Sequence, residues 1–314
     1  MNKTSHHVVK PMLICGPTAS GKSALGIEIA KNCGGYIINA DALQVYDTWR
    51  VLTARPSKDD EKAVQHQLYG HVPSLKTYSV GAWLRDVVNV MQTNDHHMII
   101  LGGTGLYFSA LTSGLAEIPE TPTEIRELGN EIRKASYGAE FIEYLSSHDP
   151  DTLAKTDQDN PMRLQRAWEV HQATGRGLAS WHEDTPPPAI AIKHATAVVL
   201  NSSSDWLNAR IESRFDKMIA DGALDECREV MNKGWDPSLP SSRALGASEL
   251  VSYLRGECTL DAAKESATIA TRQFAKRQRS WFRNKMQDWQ QVSIDGEADI
   301  SALANSILQD AGRS

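Results

Sequence analysis

Gly16-Pro17-Thr18-Ala19-Ser20-Gly21-Lys22-Ser23 fits the pattern G-x-x-x-x-G-K-[ST] at every position. The residues before it, Met12-Leu13-Ile14-Cys15, form a short apolar run of the kind that makes a buried strand. After it, Leu25 and Ile29 stand four apart, as on one face of a helix, and Gly34-Gly35 can end that helix. Strand, glycine-rich loop and helix is the geometry in which backbone N–H groups cradle a diphosphate. Lys22 would neutralise the phosphates and the Ser23 hydroxyl would hold Mg²⁺. Gly16, Pro17, Thr18, Ala19, Ser20, Gly21, Lys22 and Ser23 are therefore the expected diphosphate site. A chance match in a glycine-containing turn is the alternative, and the strand-to-helix context weighs against it.

Composition narrows the class. At 314 residues the chain can bury a large core and form more than one domain. It is 41% hydrophobic and 23% charged, as a globular protein is, and a net charge of −6 means that any basic surface must be local. Cys15, Cys33, Cys227 and Cys258 lie far apart without a C-x-x-C. That argues against a zinc site or a disulfide framework and fits a reducing, cytoplasmic setting. Met1 to Lys10 has no apolar segment of signal-peptide length, and no run approaches a membrane span, so no membrane association is expected. His6-His7 and His96-His97 are expected as exposed or capping residues rather than metal ligands.

Tyr36-Ile37-Ile38-Asn39-Ala40 reads as a second strand with Asp41 at its C-terminal end. In open α/β sheets that edge is where ligands sit. Asp41 is a candidate for chemistry, or else a cap for the next turn. Gln44 and Tyr46 follow closely and can contact a base or a sugar. Val51 to Ser57 is irregular around Arg55-Pro56. Ser79 to Asn94 reads as a helix capped by Ser79. Met98-Ile99-Ile100-Leu101 is a third strand, ending in Gly102-Gly103-Thr104-Gly105. That second glycine-rich turn is either a close approach of backbone to ligand or simply a tight connection. The alternation implies an α/β fold, a P-loop NTPase-like parallel sheet core flanked by helices.

The pattern then changes. Between the breaks Ile118-Pro119-Glu120-Thr121-Pro122 and Thr185-Pro186-Pro187-Pro188 it is helical: Thr123 to Ala135, Ala139 to Ser147 and Met162 to Ala173. Residues 119–189 are read as an all-helical subdomain inserted into a core formed by residues 1–118 and 190–314. On it, Arg163 and Arg166 share a helix face and either grip a partner or are merely solvated. In the core, Arg210 and Arg214 lie on one side of a helix with Leu207, Ile211 and Phe215 inward. Thr271 to Met286 carries six basic residues and no acid. Arg272, Lys276, Arg279 and Arg283 line one helical face, with Phe274 and Trp281 on another side to dock on the core. A basic stripe on an acidic protein suits a polyphosphate backbone held at one place.

A nucleoside triphosphatase or small-molecule kinase would want a second strand ending in an acid, and only Asp41 closes a strand. The diphosphate site is well specified and the machinery for splitting a γ-phosphate is not. A loop that holds diphosphate as a leaving group, while its organic portion is transferred, fits better.

At this point the chain resembles the bacterial tRNA dimethylallyltransferases. The resemblance rests on ordered motifs: the loop Gly16 to Ser23, Asn39-Ala40-Asp41-Ala42-Leu43-Gln44-Val45-Tyr46, Gly102-Gly103-Thr104-Gly105-Leu106-Tyr107, and Asn160-Pro161-Met162-Arg163-Leu164-Gln165-Arg166-Ala167. Arg210 to Phe215, Arg243-Ala244-Leu245-Gly246 and Thr271 to Gln278 complete the set. It implies transfer of a dimethylallyl group from dimethylallyl diphosphate to the adenosine just 3′ of the anticodon. It implies Asp41 as general base, and Lys22, Thr104 and Arg214 with Ser23-bound Mg²⁺ as stabilisers of the departing pyrophosphate. It implies a tRNA anticodon stem-loop held by Asp41, Ala42, Leu43, Gln44 and Thr104 around the base. Further contacts would come from Arg126, Met162, Arg163, Leu164, Gln165 and Arg166, from Arg243, Ala244, Leu245 and Gly246, and from Lys276, Arg277, Arg279 and Arg283. A monomer is expected. The same chemistry on free adenine nucleotides is the competing activity, and it would need neither the insertion nor the basic helix. Ala42 stands where the family usually has serine, Ala247 where an aromatic is frequent, and Trp168 where leucine is usual.

Overall fold

The structure is a computed structural model that describes residues 10–295 and 300–313. His6 and His7 lie outside the described residues. Six parallel strands are described: β1 Met12–Cys15, β2 Tyr36–Asn39, β3 His66–Gln67, β4 Met98–Gly102, β5 Thr196–Asn201 and β6 Gln290–Ser293. Their order in the sheet is β3-β2-β4-β1-β5-β6. β1 sits between β4 and β5, pairing Cys15 with Gly102 on one side and with Val199 on the other. All parallel strands of a sheet end at the same edge. The loops after β1, β2, β4 and β5 therefore meet there, which is where ligands bind in open sheets.

Every residue of β1 and β2 is buried because helices cover both faces. Leu13 and Cys15 pack with Trp83, Phe108 and Phe282 in one layer. Met12 and Ile14 pack with Leu25, Ile29 and Ile307 in the other. The helix after the phosphate loop, Lys22–Cys33, is closed by Gly34 in the left-handed region at φ 68°, where a side chain would be strained.

The chain divides into two compact units, Met1–Thr112 with Ile190–Ser314, and Ser113–Ala189. The second is helical throughout, from Thr123–Ser136 to Leu178–Glu183, around Phe141, Leu145, Leu164 and Trp168. Trp168, where leucine is usual, packs against Phe141 with ring centroids 5.5 Å apart. In this unit Asn160 caps the helix Pro161–Thr174, its Oδ1 accepting from the Met162 and Arg163 amides.

Two expectations need correcting. The long helix Leu260–Lys285 docks through Ala263, Ala275, Gln278 and Phe282, not through Phe274, which lines a cleft and stays half-buried. Trp281 is half-buried against Gly105, where a Cβ would lie 2.1 Å from its ring. The sheet also gains two strands that no apolar run announced, the two-residue β3 and the edge strand β6. β6 is Gln-Gln-Val-Ser at the edge, and partly exposed backbone pairing with β5 forms it. Among the described residues no helix is long and apolar enough to cross a membrane.

Candidate active site

The phosphate loop turns sharply: Ala19 has φ 64° and Gly21 φ 88°. Alternating hand in successive residues turns backbone N–H groups toward one point, an anion nest. A left-handed alanine is strained, and other elements hold it. Arg210 Nε donates to the Ala19 carbonyl at 2.8 Å, and the Arg214 guanidinium donates to Thr18 Oγ1 at 3.3 Å. Gln278 Oε1 accepts from the Thr18 amide at 2.8 Å. Ser20 Oγ is buried within the loop with no protein partner, an oxygen that a phosphate can satisfy.

Lys22 Nζ donates to the Pro17 carbonyl at 3.1 Å, so the ammonium lies over the loop. Burial pulls its pKa from 10.5 to about 8, Asp41 partly restores it, and Arg214 lowers it further. Burial also lowers the Arg214 guanidinium, which Asp41 in turn favours. The two cations and the carboxylate therefore share one electrostatic environment.

Asp41 is fixed from three directions. Its amide donates to Asn39 Oδ1 at 2.9 Å, and its Oδ1 accepts from the Leu43 amide at 3.0 Å. Its carbonyl accepts from Asn39 Nδ2 at 3.0 Å. Asn39 is fully buried, and its second Nδ2 bond, to the Leu68 carbonyl at 3.0 Å, locks the amide. Thr104 ties this turn to the loop after β4: its amide donates to the Ala40 carbonyl at 3.1 Å, and its Oγ1 accepts from the Ala42 amide at 2.9 Å. The Gly102-Gly103 turn is thus a close approach. A Cβ on Gly102 would lie 2.0 Å from the Ala40 carbonyl oxygen, and one on Gly103 would lie 3.2 Å from Asp41 Oδ2.

Thr18, Ala19, Asp41 and Arg214 form the polar end of one cleft. Its other walls are mostly apolar, with Leu52, Ile211, Phe215, Met218 and Phe274 beside the hydroxyl-bearing Thr53 and Thr271. Leu43 and Leu245 line it too, and Gly246 makes the turn beyond at φ 89°. The backbone that carries Leu52 is clipped by a carboxylate from a distant helix. Glu226 accepts from the Arg50 amide, from Val51 at 3.1 Å and from Leu52 at 3.0 Å. Hydrogen bonds to a charged acceptor are the stronger class, about 1.5–3 kcal/mol each. Glu226→Ala is expected to lower unfolding stability by about 2–3 kcal/mol, read as a shift in urea midpoint. An unchanged midpoint would show that the clip contributes nothing.

Several expected contacts are placed differently. Gln44 uses both Nε2 hydrogens on the Thr53 and Ala54 carbonyls, leaving only its oxygen for a base. Leu164 and Gln165 are buried in the helical unit, with Gln165 bonded to Arg133, Asn130 and Glu169. Ala244 and Ala247 are buried in the core unit, so neither presents a side chain to solvent. In all four the packing demand on a helix or turn outweighs the pull of neighbouring basic residues. Met162, Arg163 and Arg126 are exposed, Arg163 pairing with Asp157 at 3.0 Å. Arg166 donates to Thr121 Oγ1 at 2.8 Å, and burial and then Arg126 lower its pKa, Glu169 opposing. On the long helix Lys276, Arg277 and Arg283 are exposed, Arg279 is half-buried with a bond to Ser204, and Arg243 is exposed nearby in sequence to the Gly246 turn. Arg272 pairs instead with Glu212 at 3.1 Å. Glu226 lies in none of the motifs, and Arg210 and Gln278 stood in motifs without a role of their own, because each acts through a partner far along the chain; Asn39 acts on Asp41 two residues on, a local contact left unread.

The model of the IPP transferase family matches residues 44–285. The chain is 54% identical over 285 residues to a tRNA dimethylallyltransferase of Cereibacter sphaeroides, covering 91% of this chain and 89% of the relative. It is 54% identical over 283 residues to the tRNA dimethylallyltransferase of Dinoroseobacter shibae, covering 90% and 94%. Among solved structures, the tRNA isopentenylpyrophosphate transferase of Bacillus halodurans superposes with a TM-score of 0.66 at 26% identity, over 97% of each chain. A eukaryotic dimethylallyltransferase acting on tRNA shares the fold, with a TM-score of 0.79 at 22% identity over 96% of this chain and 77% of that one. With this likeness along nearly its whole length, the chain belongs to the IPP transferase family.

Proposed function

We propose that this chain transfers a dimethylallyl group from dimethylallyl diphosphate to N6 of the adenosine 3′ of the anticodon in tRNA, releasing pyrophosphate. The observation that carries it is the cleft in which a phosphate cradle and Asp41 adjoin an apolar wall. The cradle suits the diphosphate and the wall suits a branched five-carbon chain. The carboxylate suits an amine that loses a proton.

In the reaction the allylic C–O bond breaks and its electron pair leaves with pyrophosphate. The N6 lone pair forms the new C–N bond, and the N6 proton passes to Asp41. An allylic carbon tolerates positive charge, so stabilising the leaving group supplies most of the driving force. Lys22, Arg214 and the loop amides aim at that developing charge. Asp41 orients the amine and takes its proton as the nitrogen becomes acidic. The Ser23 hydroxyl, exposed in the first helical turn, and the orphan Ser20 Oγ are oxygen donors that fit a hard cation and its phosphate. Bound Mg²⁺ would offset charge on the diphosphate. Thr104 holds the Asp41 turn and takes part through that geometry.

The target base must leave the anticodon stack to enter the cleft. Leu43 and the free oxygen of Gln44 stand by it. Arg126, Arg163 and Arg166, and Arg243, Lys276, Arg277, Arg279 and Arg283, would hold the stem-loop by its phosphates, with the exposed Met162 an apolar contact. We read the protein as a monomer acting in the cytoplasm.

Incubation with dimethylallyl diphosphate and either an unmodified anticodon stem-loop or AMP tests this. Prenylated stem-loop with untouched AMP is expected; modification of AMP alone would point to an adenylate isopentenyltransferase. ATP turnover without use of the prenyl donor would point to a small-molecule kinase. Lys276→Ala with Arg279→Ala should reduce the slope of log K against log salt by roughly one to two, with the largest affinity loss at low salt. An identical slope in filter binding would take the stripe out of the RNA site.

A further inference from the structure

A buried amide on the long helix joins the two halves of the chemistry. Gln278 is 6% exposed, between the exposed Arg277 and half-buried Arg279. A buried carboxamide is costly unless both its ends are bonded. Here Oε1 accepts from the Thr18 amide at 2.8 Å, and Nε2 donates to the Gly103 carbonyl at 2.8 Å. Thr18 belongs to the phosphate cradle. Gly103 precedes Thr104, which carries the Ala42 amide on its hydroxyl and bonds the Ala40 carbonyl through its own amide. The path from cradle to carboxylate thus runs Thr18, Gln278, Gly103, Thr104 and the Asp41 turn.

Gly103 lies between the amide and the carboxylate. A Cβ there would stand 2.3 Å from Gln278 Nε2 and 3.2 Å from Asp41 Oδ2. Glutamine is suited because one planar group accepts at one end and donates at the other. Ionised glutamate has no donor, lysine has no acceptor, and methionine has neither in useful strength.

We infer that Gln278 is a positioning residue that sets the separation between the diphosphate and Asp41. This rests on the transfer reading above. A misplacement of about 1 Å between reacting groups can cost on the order of 10²-fold in rate. A residue outside the cleft lining thus governs a large share of the turnover.

The test compares Gln278→Met, which keeps volume but bonds to neither loop, with Gln278→Glu. In the methionine variant kcat should fall by roughly 10- to 100-fold, with stem-loop affinity within a few fold of wild type. Hydrogen exchange at the Thr18 amide should quicken by about tenfold or more beyond the change at core amides of β1, which report whatever global stability the variant loses. A protonated glutamic acid reproduces the amide's donor and acceptor. The Gln278→Glu deficit relative to wild type should therefore shrink as pH falls, while the methionine deficit stays constant. Asp41 across Gly103, Lys22 over the glycine-rich loop, Arg214 in the cleft, and Arg277 and Arg279 on the same helix are the charged groups around it, and the ratio to wild type removes their own titration. A methionine variant within about twofold of wild type in kcat overturns the inference, as does an unchanged Thr18 exchange rate. Equal, pH-independent deficits in both variants overturn it as well. If the wild-type chain fails to prenylate the stem-loop, the transfer reading falls. Thr18 exchange and affinity for inorganic pyrophosphate then still decide the bridge: faster exchange with weaker binding in the methionine variant upholds it, and no change in either refutes it.

Discussion

Asp41→Asn is expected to slow prenyl transfer by about 10³-fold or more while leaving stem-loop binding within a few fold of wild type. The substitution isolates the role proposed for the carboxylate. An asparagine Oδ1 still accepts from the Leu43 amide, as the aspartate does at 3.0 Å. Asn39 and Thr104 hold the turn through its backbone and through Ala42, so the fold of the loop survives. What disappears is the carboxylate that favours the charged forms of Lys22 and Arg214, and with it the group proposed to take the N6 proton. A positioned general base contributes about 10²–10⁴-fold, and its field adds to that. Single-turnover assays with saturating donor and stem-loop measure the loss. Near wild-type turnover in Asp41→Asn, or in Asp41→Ala, would remove Asp41 from the role given to it.

Lys22→Met is expected to cost about 10²–10³-fold in kcat, the range seen when one preorganised donor to developing negative charge is lost. The wild-type residue carries a pH signature that the variant lacks. Burial brings its ammonium to about 8. Below that value the free protein holds the proton and the cradle is cationic. Above it the cradle loses charge, so pyrophosphate affinity should fall as pH rises through about 8. Bound pyrophosphate favours the ammonium, so binding at alkaline pH takes up a proton. Calorimetry in two buffers of different ionisation enthalpy reads that uptake, and Lys22→Met corrects for the ligand's own titration. Identical pH dependence in both proteins would take Lys22 off the diphosphate. Stability follows the opposite course. Between about 8 and the ordinary value of 10.5 the unfolded chain holds the proton more tightly, so this residue's penalty on the folded state shrinks as pH rises.

The parts of the site built from neighbouring residues were legible in the sequence. Gly16 to Ser23 sits between an apolar strand and a helix, and its spacing alone implies a phosphate cradle. Asp41 follows an apolar run, so its place at the sheet's ligand edge could be read directly. The bracing could not. Gln278 meets Thr18 across 260 residues of sequence, and Arg210 meets Ala19 across 191. No local period records such a pairing. Leu164 and Gln165 show the converse error. They neighbour Arg163 and Arg166 in a motif, but a helix turns about 100° per residue, so Arg163 and Arg166 share a face while Leu164 and Gln165 are carried round toward the packed side. β6 was missed because an edge strand with exposed side chains leaves no apolar alternation to find.

The core unit is assembled from both ends of the polypeptide, with the insertion between them. During vectorial synthesis the cradle leaves the ribosome long before Arg210, Arg214 and Gln278 exist. The central strand β1 must wait for β5 to gain its second neighbour. Contacts of such long sequence separation make folding slow and expose apolar strands meanwhile. A nascent chain lacking its last third therefore has no braced catalytic centre, and holding factors that shield β1 and β4 should matter more to its yield than to the stability of the finished enzyme.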